Sequence, residues 1–232
     1  MTRLLYHCCM NTFQIKVLAI VTMIIDHMGL FFFPQLIIFR IIGRLSFPLF
    51  AWLIANGAYH THDIGKYLQR LFIFALLSQI PYLLANRLIN PHFSDLNVLC
   101  TLYCGLLAIA LIQKTNNRIL WVMITISFSV LAQFIHVDYY GLGVVEVVIF
   151  YIFYKNFKNL VLAQFLLFLP PLFLFPVYVA QLFEPLGLLS LLIIRMYNFQ
   201  PGPRAKYLFY IFFPLQYAFY YLVLKKYIDL SI

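Results

Sequence analysis

Residues 13–33 read FQIKVLAIVTMIIDHMGLFFF, and this stretch decides the fold because it is long and apolar enough to cross a lipid bilayer. A helix of about 20 residues spans the hydrocarbon core. The same stretch carries an adjacent aspartate and histidine, Asp26 and His27, past its midpoint. A carboxylate near the bilayer centre costs roughly 2.5–3.5 kcal/mol on insertion scales. Such a group needs a partner, so this pair is the first place to look for function.

The rest of the chain repeats this apolar character. Of the 232 residues, 64% are hydrophobic and 10% are charged, whereas a soluble domain carries about 25% charged residues. The composition predicts an all-α, polytopic membrane helix bundle with about eight or nine transmembrane helices. The polar gaps are too short for a soluble domain, so residues 1–232 are expected to form a single transmembrane domain. No cleavage site follows the first apolar run, which predicts a retained helix.

Nine apolar runs are separated by residues that interrupt membrane helices, such as Pro34 and Gly57. Pro170 interrupts the seventh run and Pro185 the eighth, so either run can be re-entrant or split. The predicted spans cover residues 13–33, 36–56, 67–86, 97–113, 119–135, 140–154, 160–180, 182–197 and 206–224.

The loop lysines and arginines predict an orientation, because cytoplasmic loops carry an excess of positive charge. With nine spans and the N-terminus inside, Lys225 and Lys226 lie outside, against this rule. An even number of spans with both termini inside therefore stays open. The net charge of +9 reflects this loop bias, and nucleic-acid binding is not expected. With the N-terminus inside, the outer regions hold Arg87, Lys225 and Lys226, and the inner regions hold Arg3, Lys16, Lys66, Arg70, Lys114, Arg118, Lys155, Lys158, Arg195, Arg204 and Lys206.

This orientation brings the uncommon polar side chains to the outer side of the membrane. Asp26 and Arg44 are natural partners, either as an ion pair that fixes two helices or as a pair that orients a reacting group. His27 points about 100° away from Asp26 on a helix. It is either an interior histidine or a base near neutral pH. The outer set consists of Asp26, His27, Arg44, Asn97 and Asp138.

Aromatic and basic residues come together near the predicted inner end of the last span. Such groups can hold a nucleotide diphosphate, and they are equally typical of a cytoplasmic membrane boundary. The residues concerned are Tyr197, Tyr207, Tyr210, Arg195, Arg204 and Lys206.

No metal site is predicted. Cys100 and Cys104 are spaced i,i+4 on one predicted helix and are expected to be small core residues. His60 and His62 are spaced i,i+2, which does not bring two ligands together on a helix.

Short motifs along the chain resemble those of one known family. Residues 25–29 read IDHMG, residues 42–57 read IGRLSFPLFAWLIANG, and residues 206–210 read KYLFY. Taken in order over residues 13–224, they resemble the TraX family, whose namesake acetylates the N-terminus of conjugative F pilin. Phe199 replaces a glycine of the family pattern and Gln216 a histidine. Glutamine keeps hydrogen bonding but cannot act as a base.

The resemblance implies an integral inner-membrane acetyltransferase. It would move acetyl from cytosolic acetyl-CoA to an amine at the outer side, such as the N-terminus of a pilin or a similar envelope protein. The family is distantly similar to the lysosomal heparan-glucosaminide N-acetyltransferase, which moves acetyl in this direction. His27 is then the base, oriented by Asn97 or Asp138. Arg44, held by Asp26, polarises the thioester carbonyl.

Acetyl-CoA is thus expected as donor substrate, with a protein or small amine as acceptor, membrane lipid around the chain, no metal and no nucleic acid. Two other functions stay open. A transporter or permease would use the intramembrane charges as an ion path, and a non-catalytic assembly factor would serve pili or envelope polymers. The residues expected to bind CoA are Lys66, Arg70, Tyr197, Arg204, Lys206, Tyr207 and Tyr210.

Overall fold

The fold consists of α-helices joined by short turns. The structure is a computed structural model that describes residues 10–174, 185–203 and 207–231. Over these ranges the extended contacts are isolated bridges only, so the predicted all-α class is confirmed there. The helices are α1 (Thr12–Phe31), α2 (Ile37–Gly43), α3 (Ser46–His60), α4 (Ile64–Arg87), α5 (Val98–Ile112), α6 (Arg118–Phe134), α7 (Tyr140–Ile152), α8 (Phe157–Leu174), α9 (Ser190–Arg195) and α10 (Leu208–Ser231).

Polar side chains begin several helices where the sequence leaves an apolar run. Asn11 forms a capping box with Gln14 at the start of α1. Asp63 accepts a hydrogen bond from the Lys66 backbone N–H at the start of α4. Asn97 caps α5 in the same manner. These side chains satisfy backbone donors that a helix start leaves unpaired, which matters most beside a membrane.

The membrane-spanning character is confirmed in part. Four helical segments are long and apolar enough to cross a membrane, namely Thr12–Phe31, Ile37–His60, Ile64–Arg87 and Leu208–Asp229. Shorter apolar segments of 10–17 residues are Val98–Ile112, Arg118–Phe134, Tyr140–Ile152, Phe157–Phe168 and Pro185–Arg195. The chain therefore has several membrane-type helices, while the predicted eight or nine spans stay a prediction.

The second predicted span divides into α2 and α3, which meet at Arg44 and Leu45. Pro48 lies in the first turn of α3 and has no N–H to donate to the Arg44 carbonyl, so a continuous helix loses a hydrogen bond there. The seventh predicted span begins as α8, and residues 175–184 lie outside the described ranges. The eighth contains a 3-10 segment at 185–189 followed by the short α9.

The chain divides into two compact units. The first comprises Met1–Leu53 and Phe153–Lys206. In it α1 packs closely on α2. A Cβ atom added at Gly29 would lie 2.5 Å from the Cβ of Phe39, so a glycine allows this approach. The hydroxyl of Ser46 donates to the Ala19 carbonyl at 3.2 Å, which ties α3 to α1.

The second unit comprises Ile54–Ile152 and Tyr207–Ile232. Here α4 packs against α10 and α5, and α5 also contacts α6 and α7. Gly105 lies against Val147, where an added Cβ would come within 2.7 Å of the valine side chain. How the two units combine into the predicted single domain stays a prediction.

Candidate functional site

Asp26 contacts two arginines in the first unit. Its Oδ2 lies 2.8 Å from Nη1 of Arg40, and its Oδ1 lies 3.4 Å from Nη2 of Arg44. The Arg44 side chain is 7% exposed and that of Asp26 12%, while Arg40 keeps 30% of its side-chain surface. A carboxylate in an apolar helix is thereby held by two guanidinium groups, as intramembrane charges require. We call Asp26, Arg40 and Arg44 the charged cluster.

The local fold brings this cluster together. Arg40 and Arg44 are spaced i,i+4, so they share one face of the α2 turn. The Nε of Arg44 also donates to the Arg40 carbonyl at 3.4 Å. Gly43 lies between the two arginines, and a side chain there would overlap the carboxylate of Asp26. Glycine at this position is therefore a requirement of the close approach between α1 and α2.

The sequence analysis paired Asp26 with Arg44 and missed Arg40. The structure brings the predicted pair together, yet the shorter contact belongs to Arg40. The signal for Arg40 was its i,i+4 spacing from Arg44. That spacing puts both arginines on one side of the helix, where each can reach Asp26.

His27 lies beside the cluster in sequence and is half-buried on α1. Its ring contacts Phe31 edge to face, with ring centroids 6.5 Å apart. It follows Asp26 directly, so its side chain leaves the helix about 100° away from the carboxylate. The structure thus puts a titratable ring one residue from the charged cluster, and its catalytic role stays a prediction.

Asn97 lies in the second unit and is fully buried. Its Oδ1 accepts from the Leu99 N–H at 3.0 Å, and its Nδ2 donates to the Ala75 carbonyl at 2.8 Å and to Oε1 of Gln79 at 2.7 Å. Both amide donors are therefore used in joining α5 to α4. This arrangement is that of a buried helix cap, and a role in orienting His27 has no support from these contacts.

Asp138 also lies in the second unit, in the turn between α6 and α7. Its carboxylate accepts from the Tyr139 backbone N–H at 3.1 Å. Its backbone carbonyl accepts from the hydroxyl of Thr101, and its N–H donates to the Leu96 carbonyl at 2.8 Å. The backbone of Asp138 is thus fixed by both its N–H and its carbonyl. Convergence of Asn97 and Asp138 with the charged cluster stays a prediction.

Part of the predicted CoA-binding set comes together in the second unit. The guanidinium of Arg70 and the hydroxyl of Tyr67 both hydrogen-bond to the Tyr210 hydroxyl. Arg70 also lies over the Tyr67 ring at 5.6 Å. The Tyr210 ring stacks on Phe74 at 5.0 Å. Exposed Tyr207 lies 6.5 Å from the same phenylalanine ring. Arginine and aromatic faces at one helix end suit a phosphate-bearing group.

Lys66 lies on the same helix end and pairs with Asp63 at 3.0 Å. Hydrogen bonds from Lys66, first from its backbone N–H and then from its side chain, hold the pKa of Asp63 below its ordinary value. Both side chains are exposed, so this ion pair contributes little stability.

The structure also describes Tyr197 of the predicted CoA-binding set. Tyr197 belongs to the first unit, where its ring meets Trp52 at 4.8 Å and its hydroxyl accepts from Thr12 at 3.2 Å. Arg204 and Lys206 lie outside the described residues. Within the described ranges no group of three His, Cys, Asp or Glu side chains could hold a metal ion. There, Cys100 and Cys104 are free thiols.

Comparison with known proteins gives a family and two relatives. The family model described as TraX protein matches residues 12–224. A probable fimbrial assembly protein, FimC of serogroup H1 from Dichelobacter nodosus, is 28% identical over 229 residues, which cover 90% of this chain and 93% of that protein. An uncharacterized protein of Rickettsia prowazekii (strain Madrid E) is 34% identical over 91 residues, 39% of this chain and 33% of that protein. No solved structure matches.

Proposed function

This chain belongs to the TraX family, and on that premise we propose that it is an integral inner-membrane acetyltransferase. Its substrates are cytosolic acetyl-CoA and an amine at the outer side, the N-terminal amine of a pilin or a similar envelope protein. The observation that carries the proposal is the charged cluster beside His27, in a helix otherwise suited to hydrocarbon. Charged side chains in such a helix are costly, which supports a functional role beyond an ion pair between two helices.

The topology follows from the same proposal. The four long apolar helices cross the membrane fully, and the shorter apolar helices complete eight or nine crossings by local thinning of the bilayer. The N-terminus lies in the cytosol, since this orientation leaves most loop lysines and arginines inside. The anionic donor and the basic loops then share one side of the membrane.

Acetyl transfer in this scheme is a nucleophilic substitution at a thioester. The acceptor nitrogen attacks the carbonyl carbon, a C–N bond forms, the C–S bond breaks, and CoA leaves as a thiolate. His27 takes the proton that the amine loses and returns it to the leaving sulfur. An N-terminal amine has a pKa of about 7.7–8.0, so a base of modest strength is enough. A variant with an acetyl-His27 intermediate uses the same groups in two steps.

The charged cluster stabilises the tetrahedral oxyanion in this scheme. Arg44 donates to the developing negative charge, where fixed positive charge in a dry site is most effective. Asp26 holds Arg44 in place, and the 2.8 Å contact with Arg40 fixes Asp26 in turn. Arg40 is thus a positioning residue that the charged cluster adds to the predicted set. In the proposal Asn97 or Asp138 orients His27.

The CoA phosphates bind at the inner ends of the helices. Arg70, with Tyr67, Tyr210 and Lys66 around it, offers guanidinium donors and aromatic faces for a phosphate-bearing group. Tyr207 and the basic residues Arg204 and Lys206 extend this set in the proposal. Tyr197, held against Trp52, takes part from the first unit.

The acetyltransferase proposal is tested with purified protein in lipid nanodiscs. His27→Ala, Arg44→Ala and wild type are given acetyl-CoA and a short peptide with a free N-terminus, and peptide mass is followed. We expect a gain of one acetyl group with wild type and its loss with His27→Ala. His62→Ala is the matched control, because His62 is exposed and outside the site. Unchanged acetylation by folded His27→Ala would remove His27 from the mechanism.

A second candidate function is a non-catalytic assembly factor. The name of the Dichelobacter nodosus relative favours it, since that protein is described by fimbrial assembly. Under this alternative, folded His27→Ala protein supports pilus assembly as well as wild type does. Under the acetyltransferase proposal, the assembled pilin lacks its acetyl group in the variant. Mass analysis of pilin from cells carrying each variant separates the two functions.

A further inference from the structure

Helices α4 and α10 pair through two ring contacts in the second unit. Phe74 stacks on Tyr210 at 5.0 Å, and Tyr82 meets Tyr217 edge to face at 5.0 Å. From the first contact to the second, the residue number rises in both helices, so the two helices run parallel. Ser78 lies midway between Phe74 and Tyr82, which puts it level with residues 213–214 of α10. At 1.5 Å per residue, Gln216 is then about 4 Å away along the helix axis.

Two buried oxygens at this level have no donor within the described part of the chain. Ser78 is fully buried and its Oγ has no hydrogen-bond partner there. Gln216 is 6% exposed, and its Oε1 likewise has none. Its Nε2 is used, donating to the Tyr220 hydroxyl at 2.7 Å. An unmatched acceptor in a dry interior destabilises the fold, so these oxygens are suited to an incoming donor.

Prolines add further unmatched acceptors to the same helices. Pro81 is inside α4 and Pro214 is inside α10. Because proline has no N–H, the carbonyls of Leu77 and Tyr210 lose their usual donor four residues on. A ligand that fits must bring N–H or O–H groups or a positive charge.

Aromatic rings surround the same level. Besides Tyr82, the Tyr217 ring meets Phe213 at 5.1 Å and Tyr220 at 6.4 Å. The face of an aromatic ring attracts organic ammonium groups, and such rings form the cages that bind them. We call Ser78, Tyr82, Gln216 and Tyr217 the α4–α10 seam.

We propose that the α4–α10 seam binds a primary amine, with its N–H groups donating to the Ser78 and Gln216 oxygens and its positive charge facing the tyrosine rings. The inference rests on the proposed function, because the ligand it names is the acceptor amine of acetyl transfer. It goes further by assigning that amine a recognition site made of neutral acceptors in the second unit, which the amine leaves to react at His27. An N-acetylated amine has one N–H and no charge, so the seam favours substrate over product.

The test measures binding without acetyl transfer. The full chain in nanodiscs is titrated with n-hexylamine and with N-hexylacetamide, and the Kd is obtained by calorimetry. We expect Gln216→Leu and Ser78→Ala each to weaken hexylamine binding about tenfold, the effect of one lost hydrogen bond to a charged group. N-hexylacetamide should bind wild type at least as weakly as hexylamine binds the variants.

The chain supplies matched controls. Gln164 and Ser190 are each 1% exposed, and Gln164 Oε1 and Nε2 and Ser190 Oγ also have no partner in the described ranges. Gln164→Leu and Ser190→Ala should leave the Kd for hexylamine unchanged. Thermal unfolding of Ser78→Ala gives a second readout: removing an unmatched oxygen should keep or raise the Tm, whereas a purely structural role predicts a lower Tm.

Three results would overturn the seam as an amine site. The first is equal hexylamine binding by wild type and folded Gln216→Leu, and the second is equal binding of hexylamine and N-hexylacetamide by wild type. The third is displacement of hexylamine by sodium chloride but not by potassium chloride, which would indicate an alkali-cation site. The proposed function fails separately. Peptide acetylation with an unchanged KM in Gln216→Leu would remove the seam alone, while amine binding without any acetylation would remove the enzyme alone.

Discussion

The two compact units bury polar side chains of contrasting kinds. In the first, Asp26 meets Arg40 and Arg44, three charged groups held in apolar helices at 2.8 and 3.4 Å. In the second, Asn97 is neutral, and its amide joins the start of α5 to Ala75 and Gln79 at 2.7–2.8 Å.

The contrast separates structural need from functional need. A neutral cap completes a helix end, because it accepts from a backbone N–H that the helix start leaves unpaired. A charged cluster satisfies no backbone group of this kind. Well-packed apolar side chains in its place would give a fold that is at least as stable. We therefore assign function to the first region and structure to the second, and the predictions below test that division.

The largest effect is expected from Asp26→Ala. Removing the carboxylate leaves buried Arg44 without this partner, and breaking a buried ion pair destabilises by about 3–5 kcal/mol. Unfolding in nanodiscs measures the change, and Asp229→Ala, at an exposed aspartate of α10, is the control. A loss no greater than that of the control would show that the cluster contributes no stability.

Arg44→Lys tests the same region by activity rather than stability. Lysine keeps the charge but lacks the planar fork of donors. We expect acetyl transfer to fall about 100-fold, the usual loss when one oxyanion donor is removed. Arg40→Lys should cost less, since Arg40 acts through Asp26 and is 30% exposed. The ratio of kcat values is the readout, and equal losses would contradict the division of roles.

Asn97→Ala examines the second region. The loss of the cap and of two amide donors should lower stability by about 2 kcal/mol while kcat per folded molecule is kept. Asn117→Ala is the matched control, because Asn117 caps α6 in the same way but is exposed. If activity falls in Asn97→Ala without a loss of stability, the amide orients His27 and the cap is not its main task.

The sequence predicted the helices well and the charged cluster incompletely. Apolar runs and breakers such as Pro34 are local signals, so most helices followed from them. Gly57 was wrongly predicted to end its helix, because α3 continues to His60. The division at Arg44 was not predicted from the same run, although Pro48 is a local signal for it. Arg40 was missed as well.

The grouping of Arg70 with Tyr210 depends on the pairing of α4 with α10. These helices are far apart in the chain, and no local pattern fixes which helices are neighbours. The sequence could name both residues as candidates for one site, but it could not supply Tyr67 as their shared partner.

The smallest effect is expected at Asp63, the exposed cap of α4. Hydrogen bonds from Lys66 lower its pKa from 3.8. A lowered pKa in the folded state gives stability that is present above the unfolded pKa and is lost as pH falls through the folded one. Wild type should exceed Asp63→Ala in Tm at pH 7, with the difference vanishing in acid. A difference that persists below the folded pKa would mean that the charge does not matter.

The central claim is that acetyl crosses from a donor on one side of the membrane to an amine on the other. Sealed proteoliposomes of one protein orientation, with ¹³C-labelled acetyl-CoA on the side of the basic loops and a free-amine peptide on the opposite side, test it directly by peptide mass. We predict labelled peptide with wild type and none with His27→Ala. Labelling that requires donor and peptide on the same side, or its absence with wild type, would contradict the account.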